Sequence, residues 1–247
     1  MLNTRQDGTT ALSVLSRGMT TLLFEQRRRS TLAEIAVASE RLPQQLAAML
    51  STIVICGGIY GAVLGLWHGP KLSFYVAAKI PILLICTAVM TSLFNFVVAA
   101  LMGLPLRYRQ VFAMTLLPLA IAALIAASVA PAVWLFTISL PPPSPLQRTL
   151  HNLLYLLHVG VVGSAGYAGT AFLRQSLEEI APTPALARNV RLTWIALYAF
   201  VGGEIAWILR PFVGSVYLPV AFIRDDALRG NVYEFIVTDI LPHLLGS

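Results

Sequence analysis

Four side chains place polar or ionisable chemistry inside otherwise apolar stretches of this chain: Glu204, His158, Lys79 and Asn95. A carboxylate in hydrocarbon costs a few kcal/mol or more unless something pairs with it, so Glu204 marks a functional candidate whose partner has to be found. Counted from Leu192 at 1.5 Å per residue, it sits roughly 18 Å along its helix. His158 starts another apolar run about five residues deep from the same side, and Lys79 opens a third. Those depths allow Glu204 to meet His158, Lys79 or both, which would lower the cost of its charge. A Glu–His pair facing a cavity suits proton relay or cation binding. The structural alternative is a neutral Glu204 bonded to a neighbouring helix, an ion pair that fixes helix registry, or a side chain reaching out to the headgroups. Asn95 is accounted for by a hydrogen bond between helices.

Other chemistry finds no support. A Gly-rich Lys-Ser/Thr phosphate loop, His-Glu-x-x-His and Gly-x-Ser-x-Gly are all absent. The histidines are His68, His151, His158 and His243, too few for a histidine-box di-iron site. His151 and His158 share a helix face, yet haem would need a second axial ligand. Cys56 and Cys86 fall in different spans and are expected as free thiols. Asp225 and Asp226 are adjacent carboxylates without further ligands, expected to be solvated. No cofactor, no metal and no enzymatic activity are expected.

Such side chains need elements that can hold backbone in hydrocarbon. The 247 residues are 57% hydrophobic and 11% charged, where a soluble domain carries roughly 25% charged residues, and mean hydropathy is +0.76. A soluble fold of this size could not hide so much apolar surface. Disorder, collagen and a disulfide scaffold are excluded by the same figures. Charge-free runs of 29, 27, 38 and 25 residues lie between Arg41 and Lys71, Lys79 and Arg107, Arg109 and Arg148, and Arg148 and Arg174. Crossing the core takes about 20 apolar residues. The fold class is therefore all-α: a polytopic membrane bundle with helices at about 49–66, 80–104, 111–138, 153–173 and 192–209, the last holding Glu204 as its single charge. Pro118 and Pro131 predict a kink or break in the third helix. The run from Pro141 to Pro145 predicts a stiff loop after it. The short apolar segment 67–79 is placed at the interface.

Eleven basic residues fall on one side: Arg5, Arg17, Arg27, Arg28, Arg29 and Arg41 in the N-terminal arm, then Arg107, Arg109, Arg174, Arg188 and Arg191. Six fall on the other: Lys71, Lys79, Arg148, Arg210, Arg224 and Arg229. The positive-inside rule puts the N-terminus in the cytoplasm and the C-terminus outside. The net charge of +6 then sets topology and attracts anionic lipid; nucleic-acid binding would want a basic, aromatic-laced soluble module.

Three parts result. Residues 1–48 form a cytoplasmic arm, in which Leu12, Leu15, Met19, Leu22 and Leu23 near helical spacing precede Arg27, Arg28 and Arg29. That pattern predicts an amphipathic surface helix anchored to lipid or a partner by its basic cluster. Residues 1–30 lack the apolar core of a cleavable leader. Residues 49–210 are the five-helix domain. Residues 211–247 are an interfacial tail: Arg210-Pro211 stops the fifth helix, Gly214-Ser215 permits a turn, Tyr217 lies at headgroup level, and Asn231 with Glu234 caps a helix over 232–241.

Small residues mark helix faces. Gly57, Gly61 and Gly65 recur every four residues in the first span, and Gly160, Gly163, Gly166 and Gly169 every three in the fourth. Such residues let another backbone approach closely, and both sets are read as packing surfaces, with a pore or moving interface as the alternative.

Within 80–137, Leu104-Pro105-Leu106-Arg107-Tyr108-Arg109-Gln110 precedes Leu116-Leu117-Pro118-Leu119. With five spans and an amphipathic cytoplasmic arm, this plan resembles the Ypt-interacting (Yip) superfamily of five-span membrane proteins, whose bacterial members show a similar loop leading to a Leu-Pro helix. The Asp-Leu-Tyr-Gly-Pro signature of eukaryotic members is absent, so trafficking-GTPase partners are not implied. Trp207-Ile208-Leu209-Arg210-Pro211-Phe212-Val213-Gly214-Ser215 is similar to a stretch in multi-span bacterial proteins, which implies a bacterial inner membrane. The expected role is an accessory, assembly or scaffold subunit packing with lipid and with other membrane subunits or itself. The alternative is a small transporter or channel using Glu204 and His158.

Overall fold

The computed structural model describes residues 42–140, 148–214 and 219–235. Arg27, Arg28, Arg29, the amphipathic arm, the loop from Pro141 to Pro145, Tyr217 and the helix expected beyond residue 235 lie outside them. The chain is an all-helical, multi-pass membrane protein. Five helices are long and apolar enough to cross a bilayer: α1 (Leu42–Leu66), α2 (Pro70–Leu101), α3 (Tyr108–Ile138), α4 (Arg148–Ile180) and α5 (Pro184–Leu209). A short α6 (Val232–Phe235) follows. Within lipid only intra-helix hydrogen bonds can satisfy so much backbone, which is why unbroken apolar runs become helices.

The expected spans are all present, with different ends. Residues 70–79 are not an interfacial segment: they are the first turns of α2, and Trp67, His68 and Gly69 alone make the turn from α1. Pro70 suits a first helical turn, where its missing N–H is no loss, and Gly69 supplies the left-handed φ of 117° before it. Lys79 was a poor boundary marker because it is buried inside the bundle. At the opposite end α4 continues past residue 173 to Ile180, aided by an Arg174–Glu178 pair one turn apart at 2.7 Å. Helix α5 begins at Pro184, not near 192, where Thr183 caps it by accepting from the Leu186 N–H at 3.3 Å.

Helix α3 runs unbroken through Pro118 and Pro131. Around the first proline its neighbours close in: Tyr198 of α5 donates to the Thr115 carbonyl at 2.8 Å, and Gly169 of α4 lies directly against the Pro118 carbonyl. Neighbouring helices of this kind are what make proline tolerable in a span. Helix α3 is also the centre of the bundle, packed by α1, α2 and α4, while α5 packs on α2 and α4. Its most apolar window is 56% buried against 11% for α5, so the two ends of one scale are a core helix and a peripheral one.

Successive helices run antiparallel. The α1–α2 turn, the end of α3, the start of α4 and the end of α5 therefore share one end of the bundle, here the tail end.

Candidate functional site

The tail end is held by a clasp centred on Lys79. This side chain is fully buried, and its ammonium donates to the Pro211 carbonyl at 3.0 Å. The rings of Phe222 and Phe212 lie 5.3 and 5.8 Å from Nζ, close enough for cation–π attraction. Helix α5 stops at Leu209 because Pro211 follows, and that stop delivers the carbonyl to Lys79. Arg210 stacks over Trp207 at 3.8 Å, donates to the Trp207 carbonyl at 3.1 Å, and reaches the carbonyl and carboxylate of Asp226 at 3.3 Å each. Asp226 was expected to be merely solvated and instead tethers the tail to the end of α5; its partly exposed pairing is a weak tie. Gly214, with φ of 86°, sits so near His68 that an added Cβ would fall 2.6 Å from the ring.

His158 finds a different partner. It is buried, and its Nδ1 shares a 2.9 Å hydrogen bond with the Tyr60 hydroxyl of α1, the rings meeting edge to face. Its Nε2 has no partner among the described residues. Asn95 behaves as expected of an interhelical bond: its amide donates to the Thr115 hydroxyl of α3 at 3.1 Å, beside the bond from Tyr198 to the Thr115 carbonyl.

Glu204 joins neither His158 nor Lys79. Among the described residues it makes no hydrogen bond or ion pair, and it is only partly buried. The nearest device is α6, whose Asn231 caps the Glu234 N–H at 2.7 Å, as its sequence predicts. Tyr233 stacks on Phe200 with centroids 5.2 Å apart and donates to the Ala199 carbonyl at 2.9 Å. Burial raises the Tyr233 phenol above its ordinary range, and the negative charge of Glu204 raises it further.

The two glycine sets part company. A Cβ at Gly65 would fall 2.7 Å from the Leu72 carbonyl oxygen, and one at Gly61 would be 2.9 Å from the Val76 carbonyl carbon. Here the α1 and α2 backbones touch, as four-residue spacing anticipates. On α4 only Gly169 is filled, by α3; around Gly160, Gly163 and Gly166 nothing lies within 4 Å of the Cβ position among the described residues. Three-residue spacing turns about 60° per step on a 3.6-residue helix, so Gly160 and Gly169 point to opposite sides and never formed one face. Beside Gly160 an apolar groove of about 620 Å³ runs between α3 and α4, lined by Val129, Val133, Phe136, Leu156 and Ser164 among others.

Sequence reasoning missed the partners more than the residues. Tyr60 and His158 are 98 positions apart, and Lys79 and Pro211 are 132 apart, distances at which spacing carries no signal. The Trp207–Arg210 stack was accessible, since residues three apart on a helix are neighbours. Cys56 and Cys86 are free thiols. Among the described residues no group of three His, Cys, Asp or Glu side chains could hold a metal ion. No family model, curated protein or solved structure matches the chain.

Proposed function

We propose that this chain is a membrane accessory, assembly or scaffold subunit without catalytic activity of its own, placed in a bacterial inner membrane with its N-terminus cytoplasmic, and packing with partner membrane proteins and lipid. A Yip-like five-span plan fits such a role. One observation carries it: the α4–α5 side stays open although it holds features that plain lipid contact does not call for. Only 22% and 11% of the apolar windows of α4 and α5 are buried, while Gly160 and Gly163 are exposed and Glu204 is unpaired among the described residues. Small residues at an exposed span face suit a close helix neighbour. The transporter alternative asks Glu204 and His158 to share a polar path, and it loses support from the engagement of His158 with Tyr60.

A photo-crosslinking residue at Val162, 55% exposed on α4, tests this in living cells. Discrete adducts with other membrane proteins are expected there and not from Phe94 on the α2 surface. Adducts with lipid alone from both positions would overturn the proposal.

A further inference from the structure

Glu204 lies five residues, or about 7.5 Å, from the end of α5, in a stretch from Leu192 to Leu209 with no other charged residue. From Ile195 to Ile208 no residue of α5 is fully buried by the described residues. The bundle's two candidate counter-groups are engaged elsewhere: His158 with Tyr60, and Lys79 with the Pro211 carbonyl and two aromatic rings. The neighbouring glycines are also spoken for, since Gly202 faces Thr87 of α2 and Gly203 faces Val232 and Tyr233 of α6. The carboxylate is thus the one charged group of this stretch, and it has no hydrogen bond or cation among the described residues; its one electrostatic neighbour there is the Tyr233 phenol. Lipid tails cannot supply one, because an ionised or unbonded carboxylate in hydrocarbon is destabilising and is neutralised by pairing.

We infer that the half-open face of α5 around Glu204, where residues 201–208 are only partly buried, docks a transmembrane helix of a partner protein carrying a lysine or arginine at the depth of Glu204. The charges are complementary, and the contact is specific because a cation at any other depth would stay unpaired in hydrocarbon. This deepens the accessory-subunit proposal and rests on it. The surface differs from the α4 face, so a partner can be held by helix packing at one and by charge at the other.

The probe is a Leu/Ala transmembrane peptide of about 22 residues, long enough to cross the hydrocarbon, with a lysine one and a half turns from each end. A control peptide has leucine at both positions. The full-length chain, in vesicles of phosphatidylethanolamine and phosphatidylglycerol, is titrated with each by energy transfer. The lysine peptide is expected to bind about tenfold more tightly, in the range of interhelical polar bonds. In Glu204→Gln that preference disappears while helical content and melting temperature stay unchanged. In Glu204→Lys it passes to a peptide carrying glutamate instead. Equal binding of both peptides to the wild-type chain, a preference that survives Glu204→Gln, or a self-association that excludes the peptide would overturn the inference. If Val162 still cross-links to other membrane proteins in any of those cases, only this inference fails and the accessory role stands.

Discussion

Lys79 shows what a buried ammonium does when no carboxylate is at hand. Its charge rests on one carbonyl and two ring faces, and those three groups belong to the tail beyond α5, so the residue ties α2 to that tail. Replacing it with methionine keeps most of the volume and leaves the Pro211 carbonyl buried without its donor. The expected cost is about 1–3 kcal/mol, read as a lower melting temperature in detergent and faster proteolysis after Leu209. Tyr233 gives a second test at this scale. Its raised phenol pKa means the folded chain holds a proton that the unfolded chain releases. The stabilisation from the α6 contact is therefore whole below the ordinary phenol value of about 10 and falls as pH climbs beyond it. Glu204→Gln removes the second cause, so Tyr233 should ionise at lower pH, measured as the phenolate absorbance difference between each chain and its Tyr233→Phe counterpart.

At the scale of elements the two glycine sets make opposite predictions. Gly61→Leu forces the α1 and α2 backbones apart and should cost about 1–3 kcal/mol or more by overpacking, seen as a lost or depressed thermal transition. Gly163→Leu meets open space and should change the melting temperature of the isolated chain by no more than about 0.5 kcal/mol is worth. Five spans were legible because lipid leaves apolar runs no other fold. Their ends were not, because charge was used as a boundary. Lys79 is a charged residue inside the bundle, and Arg174, Glu178, Arg188 and Arg191 are charged residues on helix that continues past the apolar stretch. Helical spacing tells the sets apart only once the drift is summed: four-residue steps turn about 40° each, leaving Gly57, Gly61 and Gly65 on one side, whereas three-residue steps turn about 60° each and carry Gly169 to the side opposite Gly160. The N-cap at Asn231 and the helix stop before Pro211 were legible for a local reason, since both are decided within four residues. The pairing of His158 with Tyr60 instead of Glu204 was not, because the order of helices around α3 decides it.

For the whole molecule, the described cations outside the bundle divide evenly: Arg107, Arg109, Arg174, Arg188 and Arg191 stand at the arm end, and Lys71, Arg148, Arg210, Arg224 and Arg229 at the tail end. With the arm's further arginines the first end is the more basic, and we expect it to face the cytoplasm. A cysteine at Arg229 should react with an impermeant maleimide from outside intact cells, and one at Arg188 only after the membrane is opened. In the proposed role, the exposed glycines of α4 and the unpaired carboxylate of α5 lie on a surface that other proteins cover. The mass and composition of the particle extracted in gentle detergent from the native membrane test this most directly, run for the wild-type chain beside Gly163→Leu. We expect the wild type to carry stoichiometric further membrane subunits, and Gly163→Leu to lose them with its own melting temperature unchanged. A wild-type chain that elutes alone, as a monomer or a homo-oligomer, would contradict the proposed role.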